Sequence, residues 1–553
     1  MVDKVAPGSA MTVPRRDAKW WGWGDPAIEP ALDGEALGVL RERIGGLEPW
    51  PLARQLEEFE LPPAEPLPQR LVETVGEENV FAGDEDRLRH ATGRGYVDLA
   101  RLRNGTLTAA PDAVVMPPNA EALRRTIEIC AGEGIAIVPF GGGTSVVGGV
   151  EPLREAHDRL VSLDLGALRD VEIDRRSLTA RLGAGLRGPE AEAALAREGL
   201  TLGHFPQSFE YATIGGFAAT RSAGQASSGY GRFDSLVSSV WLLTPVGEIS
   251  TLETPHSAAG PALRELAIGS EGVLGVIPEV TVRVRPAPAE RRYEAWMAES
   301  FEAGTEIVRA LAQGPGLPEV IRVSDEEETE GTLALSGPRG VSGRLFDRYL
   351  GVRGRRRGAL VVVGFEGDAE STARRRALAV RALRGGGAAY LGQTAGRAWE
   401  HGRYRGPYLR DTLMGMGAMV ETLETSHTWS RYGELHEAVG GAIRATLEGE
   451  GAPGLVFCHL SHAYADGASL YFTFISRARR GSEIEQWAAV KRAACEAIVA
   501  HGGTITHHHA VGRDHIPYME AEVGATGIEA LRTLKERLDP AGIMNPGKLL
   551  PDA

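Results

Sequence analysis

"PFGGGTSVVGG", Pro139 to Gly149, directly follows the apolar run "IAIVPF", and its reading decides the fold. Gly141, Gly142 and Gly143 carry no Cβ, so a ligand can approach the main chain and several N–H groups can converge on a diphosphate. Thr144 and Ser145 add hydroxyl donors. The spacing is not G-x-G-x-x-G opening a helix, and no G-K-[ST] follows, so neither nucleotide motif accounts for the turn. Glycine turns also close hairpins. The flanking chain has to decide between the two uses.

Upstream, "PDAVVMPPNAEALRRTIEICAGEG" reads strand, turn, helix. Asn119 is placed to cap that helix, Ala122, Leu123 and Ile127 share one apolar face, and Gly132 and Gly134 close it. Downstream, strand signals recur in "LVSLDL", "SLTARLGAG", "SSVWLLTPVGEIS" and "VIPEVTVRVRP". Pro286 and Pro288 then break the pattern, which sets a boundary near residue 289. From 290 to 505, helical stretches such as "YGELHEAVGGAIRATLEGEG" alternate with strands such as "ALVVVGFEG" and "ASLYFTFIS", an α+β texture. Residues 1–108 form a Pro- and charge-rich, partly helical extension, and 506–553 a closing segment. The run "RGRRRG" (353–358) reads as a solvated loop.

Composition narrows the function. The 553 residues are 43% hydrophobic and 24% charged, with a formal net charge of -14, which excludes a basic, nucleic-acid-coating face. Cys130, Cys458 and Cys495, odd in number and far apart, read as reduced thiols in a cytosolic setting. No run reaches the roughly 18 apolar residues of a membrane span. The N-terminus lacks the apolar core of a signal peptide, and "KLLPDA" carries no peroxisomal tripeptide. A cytoplasmic protein is expected, with peripheral membrane contact left open.

Three further stretches give the glycine turn its meaning: "PQSFEYATIGGFAATRSAG" (Pro206–Gly224), "IGSEGVLGVI" (Ile268–Ile277) and "LDPAGIMNPGK" (Leu538–Lys548). With the turn, in this order, they resemble the vanillyl-alcohol-oxidase / p-cresol-methylhydroxylase (PCMH) flavoprotein superfamily. The resemblance implies a two-part FAD-binding domain over 109–289, an α+β substrate or cap domain over 290–505, and a C-terminal segment that returns to the flavin. It assigns the diphosphate to Pro139, Phe140, Gly141, Gly142, Gly143, Thr144 and Ser145. Gln207, Ser208, Phe209, Glu210, Tyr211, Ala212 and Thr213, with Thr220, Arg221, Ser222 and Ala223, would line the cofactor. Glu271, Gly272, Val273, Leu274, Gly275, Val276 and Ile277 would meet the adenosine side. Members with covalent FAD often carry a His in the first glycine turn. This turn has none, so non-covalent FAD is implied.

Two subgroups then compete. The D-2-hydroxyacid dehydrogenases carry "GDGNLH"-like and "EHGIG"-like motifs beside a divalent metal. Here the matching places hold "YADGASLYFTF" (Tyr464–Phe474) and "GGTITHHHAVG" (Gly502–Gly512), with Tyr471 in place of a ligating His and His508 in place of the Glu. Read as a strand, the second stretch sends His507 and His509 to one face and His508 to the other, so no metal is expected; the alternative is an ion held with His459, His462 or Cys458 as added ligands.

The chain is instead similar to the alkyldihydroxyacetonephosphate synthase family along nearly its whole length, through "KWWGWG" (Lys19–Gly24), Tyr471 and "HHHAVG". Arg322 in "EVIRVSD" and Arg410 in "PYLRDTL", upstream of "LETSHTW", fall in matching contexts. The resemblance implies ether-lipid synthesis. The acyl chain of acyl-dihydroxyacetone phosphate is replaced by a long-chain alkoxy group through a flavin N5 adduct, without net redox. Tyr471 would take a proton from C1. A phenol of pKa near 10 needs help for that, which His507, His508 and His509 would supply as cationic or hydrogen-bonding neighbours. Arg410 suits the anionic or leaving end of the substrate and Arg322 is a second anion-binding residue.

Blander readings exist for each residue. A strand Tyr is commonly core, an Arg a surface ion pair, and Trp20, Trp21 and Trp23 packing aromatics. Ser469 and Ala510 depart from the family's Cys and Gly. An FAD-dependent oxidoreductase acting on a 2-hydroxyacid is the alternative, and a homodimer is the family expectation.

Overall fold

The computed structural model describes residues 15–107, 109–338 and 340–551. The leader reading of the first residues, and the last two residues of "KLLPDA", lie outside them. Three sheets organise the chain. Residues 80–164 form a four-stranded sheet in the order Val80–Phe81, Ala113–Val115, Arg159–Asp164, Ile135–Phe140, with the last three parallel. Residues 171–283 form an antiparallel sheet in the order Val171–Asp174, Thr179–Gly183, Val276–Arg283, Val237–Thr244, Gly247–Ser250.

The crossover helix of the first sheet forms as its sequence dictates. Asn119 accepts a hydrogen bond from Ala122 N at 2.9 Å, Ala120–Glu133 follows, and Gly134 ends it in the left-handed region at φ 65°. Leu123, Ile127 and Cys130 face Val115, Ile137 and Val161 in a closed core that also takes in Ile543 and Met544. The C-terminal tail joins this sheet through Ile137 N to Ile543 O and Asn545 N to Ile137 O, both 2.8 Å. The end of the chain therefore lies beside the strand that leads into the glycine turn.

Residues 290–477 build a seven-stranded antiparallel sheet, ordered Ala389–Gly392, Glu290–Ala298, Ala359–Gly367, Val320–Ser324, Gly454–Leu460, Gly467–Arg477, Ala418–Thr428. Side chains alternate between its faces. Leu423, Leu470, Phe472 and Phe474 are buried in one core with Leu435, Val439 and Ile443 of helix Trp429–Gly449 and Val490 and Ala494 of helix Glu483–Ala500. Glu424, Tyr471 and His459 lie on the opposite face, paired in one row across three strands. This row of polar side chains marks the site.

The "KWWGWG" segment is a brace. Trp20 packs edge-on against Phe59 at 5.4 Å and Trp23 against Tyr211 at 5.5 Å. Trp23 N donates to Asp411 Oδ2 at 2.5 Å, tying the segment to helix Gly406–Gly415, which carries Arg410. Trp20 and Trp23 are packing aromatics, in line with the blander reading. The "RGRRRG" run is a turn whose Arg353, Arg356 and Arg357 are exposed. Among the described residues no helix is long and apolar enough to cross a membrane.

Candidate active site

The glycine turn leaves strand Ile135–Phe140 with its backbone bare. A Cβ on Gly141 would run into the Thr213 hydroxyl, and one on Gly142 into the Tyr211 carbonyl oxygen. Gly143 has φ 65°, a region that disfavours side chains. Thr144 follows, and Ser145 Oγ accepts from Gly149 N at 2.9 Å, folding the turn back on itself. The loop Gln207–Thr213 packs directly against this turn, and Thr213 caps helix Ile214–Ala219 by accepting from Gly216 N at 3.3 Å.

The two glycine-rich stretches thus form a single backbone-lined cradle, which is what an extended dinucleotide diphosphate requires. Gly142→Ala forces the two loops apart. We expect flavin affinity to fall at least about tenfold, read by titrating visible absorbance per polypeptide; each ~1.4 kcal/mol lost is a factor of ten.

Several side chains assigned to the cofactor are already committed to the protein. Phe140 packs at a tilt on His90 at 4.5 Å, and Phe209 lies against Phe205 and Tyr404 at 5.2 and 5.6 Å. Tyr211 packs on Trp23. Thr220 Oγ1 donates to Gly216 O at 2.9 Å, and Arg221 pairs with Asp234 and Glu265 at 3.4 and 3.0 Å. Ser222 Oγ bonds His204 Nε2 at 3.1 Å, and Ala223 is buried. Val273, Leu274, Val276 and Ile277 sit in apolar cores, with Gly272 and Gly275 in positive-φ turns between Glu271 and Ile277. Pro139, Gln207, Ser208, Glu210 and Ala212 complete the same two loops. Glu210 keeps one buried oxygen without a partner, and burial pushes its carboxyl up to about 6.

The histidine stretch departs from expectation. It is a turn, not a strand, so the alternation argument fails. Glu424 is the physical reason. Its carboxylate accepts the N–H groups of His507, His508 and His509 at 2.5, 2.9 and 2.8 Å and the Thr506 hydroxyl at 2.6 Å. Three successive donors on one acceptor curl the main chain and gather the rings.

A second carboxylate, Glu271, accepts from Val511 N at 2.8 Å and Gly512 N at 2.7 Å. Its side chain therefore holds the histidine segment. Ala510, between the two clamps, takes φ 75°, strain at a non-glycine residue that the clamps sustain. His462 stacks on His507 at 5.1 Å, and ring nitrogens of His462, His507 and His508 lie within 4.8 Å of one another.

Tyr471 stands over this turn. His508 stacks on its ring at 6.0 Å, His509 meets it edge-on at 5.4 Å, and His459 stacks on it at 4.8 Å. The electrostatics also differ from expectation. Burial pushes the Tyr471 phenol up to about 12, reinforced by Glu421 and Glu424 and opposed by Thr422 and Arg322. Burial holds His507, His508 and His509 below the usual histidine range, with Glu424 opposing it, which favours neutral imidazoles. Burial opposes ionisation of Glu424, yet its neighbours hold it well below the usual carboxylate range. The facing His508, His509 and His507 rings and the Thr506 hydroxyl hold it there, and the N–H donors of the turn solvate both oxygens.

The permanent cation beside the phenol is Arg322, bonded to Glu328 at 2.5 Å and to His459 Nδ1 at 2.9 Å. Arg410 donates to Arg94 O at 2.6 Å and to Asp411 at 3.3 Å, and its buried Nε has no partner. Its fork is thus only partly used. Sequence reading passed over Glu424, Glu328 and Tyr464, and treated His459 and His462 only as spare metal ligands. For Glu424 a signal was present: two carboxylates, Glu421 and Glu424, within the strand-like stretch "MVETLETS".

The comparisons with known proteins agree with this geometry. Residues 111–253 match the family described as FAD binding domain, and 287–549 the C-terminal domain of FAD linked oxidases. The chain is 32% identical to the alkyldihydroxyacetonephosphate synthase of Trypanosoma brucei brucei, over 97% of this chain and 92% of that one. A solved alkyldihydroxyacetonephosphate synthase superposes with a TM-score of 0.85 at 27% identity, covering 97% of this chain and 99% of the other. p-Cresol methylhydroxylase, at 14% identity and a TM-score of 0.62 over 87% and 95% of the two chains, shares the fold.

Proposed function

Because the chain belongs to the alkyldihydroxyacetonephosphate synthase family, we propose that it replaces the acyl chain of an acyl-dihydroxyacetone phosphate with a long-chain alkoxy group. The fold is α+β with a PCMH-type FAD-binding domain, and the cofactor is FAD. Held by the loops 139–145 and 207–213, FAD would supply an electrophile for the exchange, with no net redox. We read it as non-covalent, since the glycine turn holds no His.

The observation that carries the reading is the row Glu424–Tyr471–His459, with the histidine turn beneath it. In this arrangement Tyr471 takes the C1 proton. Arg322, a permanent positive charge shared with Glu328, favours the phenolate at that moment. Arg410 holds an anionic group of the substrate through its free guanidinium edge. The histidines act neutral, as hydrogen-bonding partners. We read their cluster as free of metal because its nitrogens bond one another, Ser227 and Tyr464; elemental analysis of the holoenzyme checks this.

The lipid substrates call for peripheral contact with a membrane surface. A cytoplasmic location and a homodimer complete the family-based reading; nucleic acid has no part in it. Incubation of the holoenzyme with acyl-dihydroxyacetone phosphate and a labelled fatty alcohol should give a labelled ether and free fatty acid in equal amounts. Absence of the ether, with near-stoichiometric bleaching of the flavin by a 2-hydroxyacid under anaerobic conditions, would favour the oxidoreductase alternative.

A further inference from the structure

Helix Gly340–Val352 is apolar on two sides. Its inward side is filled: Leu350 is buried on Met297 and Ala389, with Phe346 and Tyr349 packed beside it. Its outward side carries Val341, Leu345 and Val352, exposed by 67%, 63% and 82%. At 3.6 residues per turn these three and Arg348 fall within about 60° of one another, as one stripe along the helix. Leu335 of the preceding helix, Glu326–Ser336, is exposed as well. Among the described residues nothing packs over the stripe.

The charge beside it is of one sign. From 340 to 358 the chain has Arg344, Arg348, Arg353, Arg355, Arg356 and Arg357 against Asp347, in a protein of formal net charge -14. Arg355 is tied to the body: it pairs with Glu299 at 3.4 Å and donates to Gly387 O at 3.0 Å. Arg353 lies over the Tyr349 ring at 5.5 Å. These two contacts hold the arginine loop at the end of the helix. Arg344, Arg348, Arg356 and Arg357 are exposed and make no ion pair among the described residues. An arginine run by itself is an ordinary solvated surface. Joined to an uncovered aliphatic stripe it makes a basic amphipathic helix, whose apolar side enters lipid while its cations meet anionic head groups.

We propose that helix Gly340–Val352 and the arginine loop after it are the face through which this protein docks on an anionic lipid bilayer. The proposal rests on the reading that the substrates are lipids, and it assigns the face that meets them. Unpaired cations of one sign complement an anionic surface. A fluid bilayer also accepts a single convex helix, whereas a protein partner would have to supply a matching groove. The place in the fold fits delivery. Glu328, which pairs with Arg322 and His459, lies in the first turn of helix Glu326–Ser336. Leu335 follows seven residues along that helix, roughly 10 Å at 1.5 Å per residue. The docking face is thus one short helix from the row that holds Tyr471.

The test sediments holoenzyme, without substrate, with vesicles of three parts phosphatidylcholine to one part phosphatidylserine, and with phosphatidylcholine vesicles alone. Wild type should bind the mixed vesicles at least about tenfold more tightly than the neutral ones, and should release as salt is raised. Leu345→Glu, which sets a like charge against the lipid, should weaken binding to the mixed vesicles at least about tenfold. The triple variant Arg344→Ala/Arg356→Ala/Arg357→Ala should weaken it as much and flatten the salt dependence. The substituted side chains are exposed, so both variants should keep the parental Tm and bound flavin. Parental binding by either variant overturns the proposal, and so does a wild type that stays in solution with the mixed vesicles. A wild-type assembly that Leu345→Glu dissociates overturns it too, because a second copy would then cover the stripe. All three proteins should turn over a short-chain, water-soluble acyl-dihydroxyacetone phosphate alike. Its failure in all three, with vesicle binding intact, would sink the proposed transfer and leave the docking face standing.

Discussion

Tyr471→Phe should lose exchange of the acyl chain for an alcohol by about 10³-fold in kcat while binding FAD as the parent does. The size follows from what a positioned acid–base group contributes, about 10² to 10⁴. Its direction follows from one missing oxygen. The ring keeps its stacking on His459 and His508, so the pocket and the flavin cradle keep their shapes. KM should move less than about threefold, because the hydroxyl is used in the transition state and not in holding the ground state.

The pH profile provides a second reading. With the phenol pushed up to about 12 in the free protein, wild-type kcat/KM should rise with pH over the accessible range, and that limb should vanish in the variant. Retained turnover in Tyr471→Phe would remove the phenol from the mechanism and leave the histidine turn as the base.

Glu424→Ala should be the most damaging single change in the seven-stranded sheet. It leaves three successive N–H groups, one buried and two part-buried, and the Thr506 hydroxyl without their acceptor. An unmade buried hydrogen bond costs about 1–3 kcal/mol. We expect a destabilisation of at least about 3 kcal/mol, seen as a lower Tm, and kcat down by about 10³-fold. Glu424→Gln separates position from charge. It retains one acceptor oxygen, so part of the stability should return, but its amide N–H₂ opposes one of the backbone donors and kcat should remain low.

The carboxyl of Glu424 is held below its unfolded value of about 4.3. Its contribution is therefore fully present above that value and is lost as pH falls through the lower folded pKa. Wild type should lose stability on acidification through that window, and Glu424→Gln should lose less. A Glu424→Ala protein with parental Tm and activity would show that the turn holds itself.

Much of the fold could be read along the chain because its causes are local. The Asn119 cap, the apolar face of Ala122, Leu123 and Ile127, and the stop at Gly134 are fixed by neighbours within one or two turns of helix, and they stand where expected. The glycine turn was legible for the same reason: a missing Cβ is a property of the residue itself. Tyr471 and the histidines were found by their resemblance to a family pattern, not by periodicity.

The shape and charge of the site were decided by contacts between distant residues. Glu424 lies 83 positions from His507 and Glu271 lies 240 from Val511, yet these two carboxylates turn an apparent strand into a coil of rings. Alternation describes a segment paired with neighbouring strands. It has no bearing on one whose N–H groups are claimed by side chains from elsewhere. Burial works in the same way: a chain lists histidines without their solvent exposure, and only packing on the sheet made these imidazoles neutral.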